Sequence, residues 1–572
     1  MIKRLLIANR GEIAMRIVRA CREMGVESVA VYSGADVRAP HVLAADHRVP
    51  LGAAPAADSY LSIPRVIDAA RSSGADAVHP GYGFLSENTA FADSCARAGL
   101  VFVGPPADVI ARMGSKIEAR RIMAAAGVPV VPGEVPRDQS DAGVRQAIDR
   151  VGLPALVKAS AGGGGKGMRR VRDASEIGDA VQAARREATA AFGDGTLYVE
   201  RLIDRPHHVE VQIFGDAHGH VIHLFERECS VQRRHQKVIE ESPSPILTPA
   251  LRAQITDAAV TAARAVGYQN AGTIEFLVEN GAFYFLEMNT RLQVEHPVTE
   301  EVTGLDLVRA QLIVASGELL PWTQSQIAQR GHAIEARVYA ESPSEGFIPQ
   351  AGPLLTYREP RAPGVRVDSG VAEGGEVSIY YDPMIAKVIA RAETRPIAID
   401  RLRAALRDYT IAGVRTNVGF LIGILELPEF QNGSIDTGFL DREGEELAQL
   451  VSANHRPQIT ESALTPNPQS PITTRDPWNG ITERRPAATT TASPKRRRTS
   501  AGGGTLTAPM PATVVQVHVQ PGDTVRKGDL VVVLEAMKME LPIRAGGDAT
   551  VAAVRCRPGE LVQADAVLVE LR

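Results

Sequence analysis

The sequence predicts an α/β protein that begins with a doubly wound parallel sheet and ends in a small all-β barrel. Three observations carry this reading. Near the amino terminus, short apolar runs alternate with segments of helical periodicity. Residues 512–572 hold an internal repeat with a period of 37 residues. Between these parts, residues 448–504 are rich in Pro, Thr, Ser and Arg without a strand pattern, and read as a disordered linker.

Length and composition set the outer limits. A chain of 572 residues has room for three or four domains, and 44% apolar with 23% charged residues fits a globular protein. A net charge of −4 argues for neither nucleic acid nor a membrane surface. The amino-terminal apolar run Leu5–Ala8 stops at Asn9-Arg10, too short for a signal peptide, and no run reaches transmembrane length. Cys21, Cys95, Cys229 and Cys556 are scattered without a CxxC pair, as expected in the cytoplasm.

Taken in order, Leu5–Ala8 reads as a buried strand, followed by a helix through Met15, Ile17, Val18 and Cys21. Further strands are expected at Ser28–Tyr32 and near Ala77–His79. Arg10-Gly11-Glu12-Ile13-Ala14 is not a GxGxxG turn, so no dinucleotide site is expected. The Gly-rich loop from His79 to Asn88 is a plausible ligand edge. Gly114-Ser115-Lys116 opens a helix, and a strand over Leu153–Ala159 carries Lys158 into the glycine run Gly162–Gly167. Without a Lys-Ser/Thr pair this run is not a P-loop, yet backbone N–H groups free of Cβ atoms can close on phosphate. Residues 207–212 and 227–237 are dense in His, Arg, Gln and Lys, too polar for a core and better suited to an anion than to zinc.

The most chemically loaded segment is 272–300. Strands over Gly272–Val278 and Ala282–Glu287 flank Asn280-Gly281, a strong hairpin signal. Glu275 and Glu287 interrupt apolar strands, where an unpaired carboxylate is costly. With Asn289 they form a hard oxygen set suited to Mg²⁺ on nucleotide phosphates. A plain two-residue turn pairs Ile274 with Glu287 and sends the two carboxylates to opposite faces. A shared metal therefore requires a β-bulge or a three-residue turn. If extended, residues 287–295 put Glu287, Asn289, Arg291, Gln293 and Glu295 on one face.

At the other end, Ala512-Thr513-Val514 to Pro521-Gly522 returns as Ala549-Thr550-Val551 to Pro558-Gly559, with nine identities between 512–535 and 549–572. Two half-barrels related by a pseudo-two-fold axis follow. Lys538 stands between Met537 and Met539 in the connection, at an expected hairpin tip.

This sequence around Lys538 resembles the biotinyl carrier domain of biotin-dependent carboxylases, whose lysine is modified by biotin protein ligase. A lipoyl carrier shares the architecture but usually flanks its lysine with Asp and Ala. Residues 1 to about 445, through the glycine run, residues 227–237 and residues 272–300, resemble the biotin carboxylase family. The resemblance implies a Rossmann-like domain (1–113), an ATP-grasp domain (114–330, lid about 131–203), an α+β carboxy-terminal domain (331–447) and a biotinyl barrel (505–572). Together these resemble the α subunit of acyl-CoA carboxylases of the acetyl-/propionyl-CoA type.

The resemblance also implies roles. Lys116, Lys158, Gly163, Gly164, Gly165, Lys166, Gly167, Met168, Glu200, Leu202, His208, Gln232, His235 and Lys237 are expected at ATP. Glu275, Glu287 and Asn289 are expected to hold Mg²⁺ or Mn²⁺. Lys237, Arg291, Gln293 and Val294 are expected at bicarbonate, Glu295 as general base, and Arg337 beside the biotin enolate. The expected partners are a carboxyltransferase β subunit, biotin protein ligase and further copies of the chain within an α/β complex. The corresponding subunit of a pyruvate or other non-CoA carboxylase, or a carrier with an inactive ATP-grasp domain, are the other readings. The larger α subunits carry a further β-rich domain before the carrier; here residues 448–504 replace it.

Overall fold

The computed structural model describes the backbone of residues 1–160, 167–454, 504–537 and 539–572. It forms two units, one built mainly from residues 1–451 and the other mainly from residues 504–572. The glycines and lysine at 163–166, Lys538 and most of the expected linker lie outside the described residues.

The amino-terminal strands form a five-stranded parallel sheet in the order His47–Gly52, Glu27–Ser33, Arg4–Ile7, Ala77–His79, Val101–Phe102. Arg4–Ile7 is central, and its Leu5, Leu6 and Ile7 are fully buried, as its continuous apolar run requires. The edge strands His47–Gly52 and Val101–Phe102 add to the three read from sequence. Both are edges, and an edge strand needs no apolar run and tolerates Pro50, so its pattern is faint. Strand order reverses between Arg4–Ile7 and Ala77–His79. The turn after the first and the loop after the second therefore diverge around a crevice, the usual ligand position of such sheets. Asn9 bridges them, its Nδ2 donating to the carbonyls of Pro80 and Tyr82 at 2.7 Å each.

Next comes a four-stranded antiparallel sheet in the order Gly133–Glu134, Leu197–Arg201, Ala155–Ala159, Met168–Val171. The apolar stripes of helices Asp141–Val151 and Ile177–Phe192 meet the inner residues of this sheet in one core.

An eight-stranded antiparallel sheet follows. Its order is Ala282–Asn289, Asn270–Glu279, His207–Gly215, Val221–Arg233, Gln236–Ser242, His332–Tyr339, Met384–Ala392, Val365–Ser369. Helix Pro249–Val266 covers one face, where Val209, Val211, Ile274 and Phe276 are buried. The pairing of Ile239 with Ala336 and Glu240 with Glu335 carries the sheet past residue 330 without a break.

In the carboxy-terminal unit the repeat is visible bond by bond. Strands Ala512–Val517, Thr524–Val525 and Leu530–Ala536 recur as Ala549–Val554, Leu561–Val562 and Val567–Leu571. Ala512 pairs with Val562 and Val525 with Ala549, so each half lends a short strand to the other. Even the register shift between Val514 and Gln516 recurs between Val551 and Ala553. Position 538 falls between strands Leu530–Ala536 and Met539–Arg544.

Candidate active site

A cavity of about 1050 Å³ opens between the crevice of the parallel sheet and the inner face of the eight-stranded sheet. Lys116, Lys158, Met168, Glu200, Leu202, His208, Gln232, His235, Lys237, Glu275, Glu287, Asn289, Arg291, Gln293, Val294 and Arg337 all line it. Gly167 does not. It closes the base of the glycine run instead, accepting the Ala159 N–H at 3.0 Å, and at φ +71° its missing Cβ leaves room for Ala159.

The carboxylate pair depends on a bulge. From the turn outward, Glu279 faces Ala282 and Phe276 faces Phe285, but Glu275 faces Glu287. Leu286 is the extra residue. Strict alternation would put Glu287 on the same side as Phe283 and Phe285, in the core. The inserted residue makes Met288 the next core residue and turns Glu287 toward the cavity beside Glu275. The requirement for a bulge is met.

Glu275 Oε1 accepts from Lys237 Nζ at 2.8 Å, Asn289 Nδ2 at 2.9 Å and Gln293 Nε2 at 3.2 Å, and His208 Nε2 sits 2.9 Å from Oε2. Burial raises Glu287, and the nearby Glu275 raises it further; Lys116 and His208 act the other way. Two facing carboxylates under mutual repulsion suit a divalent cation, although the Asn289 amide here turns its nitrogen to Glu275 and its oxygen to Arg291. Such an ion would be held by Glu275 and Glu287 with Asn289, and would neutralise nucleotide phosphates. The acidic clusters His208–Glu210–Glu275 and Glu210–Cys229–Glu295 are compact enough for a metal. The Lys237 ammonium already bonds Glu210, Glu275 and Glu295 and supplies their positive charge.

Lys237 is the hub. Its Nζ reaches Glu210 Oε2 at 2.5 Å, Glu275 Oε1 at 2.8 Å and Glu295 Oε1 at 2.6 Å. Burial disfavours the ammonium, but the three carboxylates together raise its pKa well above the ordinary lysine value. Glu295, itself fully buried, is held on its second oxygen by Arg337 Nη2 at 3.0 Å. Burial opposes its charge, yet Lys237, Arg337 and Arg227 hold the carboxyl well below the usual carboxylate range. Arg337 also pairs with Glu240. Burial pushes Glu240 up to about 7, against the pull of Arg337.

Beyond Asn289 the expectation of an extended chain fails. The strand ends there, Leu292 turns into the core, and Glu295 (φ −83°, ψ 10°) leads into helix His296–Thr303. The side chains nevertheless converge, because hydrogen bonds replace alternation. Arg291 donates to Asn289 Oδ1 and Gln293 Oε1 at 3.1 Å each, and its Nε to Glu87 Oε2 at 2.9 Å.

A second correction concerns residues 227–237. Arg227, Glu228 and Gln232 are buried, despite a composition too polar for an apolar core. Arg227, with no exposure at all, gives Nε to Glu210 at 2.6 Å and Nη1 to Gln212 at 2.9 Å and Thr299 at 2.8 Å. A buried guanidinium is tolerable when its donors are met. The hairpin that presents His235 turns on Arg234 (φ 49°) and His235 (φ 65°), both left-handed without glycine or asparagine, so its sequence gives no turn signal.

At the opposite end Lys158 Nζ and Arg120 Nη1 both bind Glu200, at 2.9 and 2.7 Å. Burial lowers the Lys116 pKa and the positive Lys158 lowers it further. Met168, Leu202, Leu277 and Leu286 supply apolar wall beside these cations, a combination that fits an aromatic base carrying phosphates. Sequence reasoning missed Glu210, Arg227, Glu240, Arg120 and Glu87. The argument that singled out Glu275, an acid inside an apolar strand, would have found Glu210 and Glu240 as well.

Comparison with known proteins identifies the family. Residues 1–110 match the family described as Biotin carboxylase, N-terminal domain, and residues 115–323 match Carbamoyl-phosphate synthase L chain, ATP binding domain. Residues 335–442 match Biotin carboxylase C-terminal domain, and residues 504–571 match Biotin-requiring enzyme. The chain is 50% identical over 465 residues to the mitochondrial methylcrotonoyl-CoA carboxylase subunit alpha of Mus musculus, covering 81% of this chain and 65% of that one. It is 52% identical over 443 residues to Biotin carboxylase 2 of Bacillus subtilis (strain 168), covering 77% of this chain and 99% of that one. The biotin carboxylase domain of Hydrogenobacter thermophilus 2-oxoglutarate carboxylase, solved with MgADP and bicarbonate, superposes with a TM-score of 0.75 at 43% identity, covering 78% of this chain and 99% of that one. With an ATP-binding cavity lined by Lys237, to which the buried Glu295 is bonded, and a biotinyl-type barrel in the same chain, this protein belongs to the biotin carboxylase family.

Proposed function

We propose that this chain uses ATP and bicarbonate to carboxylate biotin carried on its own Lys538, and passes the carboxyl group to a separate carboxyltransferase subunit. The observation that carries the reading is Glu295, an ionised buried carboxylate clamped between Lys237 and Arg337. A base held this way is always deprotonated but weak. Bicarbonate, an anion, competes for the same cations, and each contact it takes from Glu295 strengthens the base where it is needed. Glu295 then accepts the bicarbonate proton while the bicarbonate oxygen attacks the γ-phosphorus, with ADP leaving and carboxyphosphate forming. Lys116, Lys237 and Arg291 offset the charge of that transfer. Carboxyphosphate breaks down to CO₂ and phosphate, the released phosphate takes the proton of the biotin ureido N–H, and that nitrogen takes up the CO₂ while Arg337, permanently charged, offsets the enolate.

The acceptor is proposed as an acyl-CoA, of the acetyl-, propionyl- or methylcrotonoyl-CoA kind, since α subunits of such enzymes match over 81% of this chain. A 2-oxo acid acceptor is the second reading, favoured by the likeness to a 2-oxoglutarate carboxylase domain. Biotin protein ligase is the proposed modifier of Lys538. A reducing cytoplasm is the proposed setting, supported by four buried free thiols.

The test is bicarbonate-dependent ATP cleavage with free biotin. Glu295→Gln keeps the shape and removes the base, so turnover should fall by roughly 10²–10⁴ with little change in the KM for ATP. Collapse of nucleotide binding with high residual turnover would make Glu295 structural.

A further inference from the structure

The strand Met384–Ala392 carries a lysine with no solvent exposure, Lys387. Buried ammonium groups require acceptors, and those of Lys387 come from distant parts of the chain. Its Nζ donates to the backbone carbonyl of Val294 at 2.7 Å and lies 3.2 Å from Glu12 Oε2. Glu12 is also buried, in the first turn of helix Gly11–Met24, and its other oxygen accepts the Tyr82 hydroxyl. Glu12, Tyr82 and Val294 all line the cavity, while Lys387 stands behind them.

The carbonyl that Lys387 grips belongs to the peptide leading into Glu295. That peptide follows five residues without regular structure and precedes helix His296–Thr303, so it has no ladder partner to fix its rotation. The turn that contains it is closed by the His296 N–H on the Gln293 carbonyl at 3.4 Å, and the charged donor on the Val294 carbonyl at 2.7 Å adds a shorter constraint on that peptide itself. The same ammonium steadies the Glu12 carboxylate, and through it the Tyr82 phenol. The backbone is tight here too, since a Cβ on Gly370 would lie 2.5 Å from the Glu12 nitrogen.

We propose that Lys387 is a positioning residue for biotin carboxylation, one that sets the Val294–Glu295 peptide and the Tyr82 wall without touching substrate. The inference rests on Glu295 acting as the base. A lysine that merely tied regions of the fold together would lower thermal stability, leaving bicarbonate and ATP kinetics unchanged or equally affected. A positioning lysine separates them.

The full chain, with Lys387→Met and the charge-balanced double variant K387M/E12Q, decides between these in the free-biotin assay. The expected result for Lys387→Met is a loss of at least about tenfold in kcat/KM for bicarbonate with the KM for ATP within about twofold of the parent. Where the single variant leaves Glu12 without its cation and fails to fold, the double variant should fold and show the same split. Parent-like bicarbonate kinetics in either folded variant would overturn the proposal, as would equal losses toward bicarbonate and ATP. Glu295→Gln keeps the two readings apart. An active Glu295→Gln defeats the base assignment itself, whereas an inactive one beside a parent-like Lys387→Met defeats only the role of Lys387.

Discussion

At the scale of single residues, buried polar groups are settled by whether their partners exist. His79 is fully buried, with Nδ1 accepting the Gly81 N–H at 3.0 Å and Nε2 facing Gln311 Oε1 at 3.2 Å. That arrangement suits only the neutral ring, because a second proton would point at the Gly81 N–H. Burial accordingly lowers the pKa to about 4 from an ordinary 6.5, against the pull of the Gln311 hydrogen bond. The sign of the linkage follows. Below pH 6.5 the unfolded chain binds a proton that the native ring refuses, so stability falls as the pH drops toward 4. The loss approaches about 3 kcal/mol at the lower end. His79→Asn, which retains an acceptor and a donor, should flatten the dependence of the melting temperature on pH in this window. An unchanged slope would show that His79 does not refuse the proton. The sequence placed His79 at the head of a ligand-edge loop, and Tyr82, Gly83 and Phe84 of that loop do line the cavity. That Glu87 at its far end grips Arg291 was not legible, because the two lie 204 positions apart.

At the scale of elements, the hairpin over residues 270–289 gives the sharpest test. Its bulge arises from one residue, Leu286, between two stretches of regular pairing. Deleting Leu286 joins Phe285 to Glu287, yet each keeps its face and Glu275 stays opposite Glu287. Magnesium-dependent ATP cleavage should therefore survive this deletion to within roughly tenfold. Deleting Met288 instead brings Asn289 into register with Ile274, on the core face, and leaves the carboxylate pair without its amide neighbour. Cleavage should then be abolished, and a variant lacking Met288 that matched one lacking Leu286 would refute the account of the bulge. The need for the bulge was legible because side-chain alternation is a strict period of two. The hairpin from Val221 to Ser242 was not, because its turn residues Arg234 and His235 carry no glycine or asparagine signal.

At the scale of the whole molecule, the two units are joined through residues whose composition alone bears on their function. A flexible coil of about fifty residues would span roughly 40 Å r.m.s.. Under the function proposed above, such a reach would let one carrier serve both the carboxylase cavity and a carboxyltransferase subunit, raising the local concentration of biotin at each. The isolated chain should therefore carboxylate free biotin but form no carboxylated acyl-CoA until the partner subunit is added. Shortening residues 448–504 to about ten should impair the coupled reaction and spare the free-biotin assay. Indifference of the coupled reaction to that deletion would overturn the shuttle.

By itself the sequence determined what depends on short-range pattern: the parallel sheet, the repeat of the barrel, the hairpin at Asn280-Gly281, and the identities of most residues that converge on the cavity. Only the tertiary structure decided how the charges are settled. Lys237 meets Glu210, Glu275 and Glu295 across separations of 27, 38 and 58 residues, and Lys387 meets Val294 across 93. The physical reason is that a buried charge is stable only beside its counter-charges. Local patterns of alternation and turn chemistry say that a carboxylate enters the interior, while the cation that makes it tolerable comes from whichever distant strand the fold lays against it.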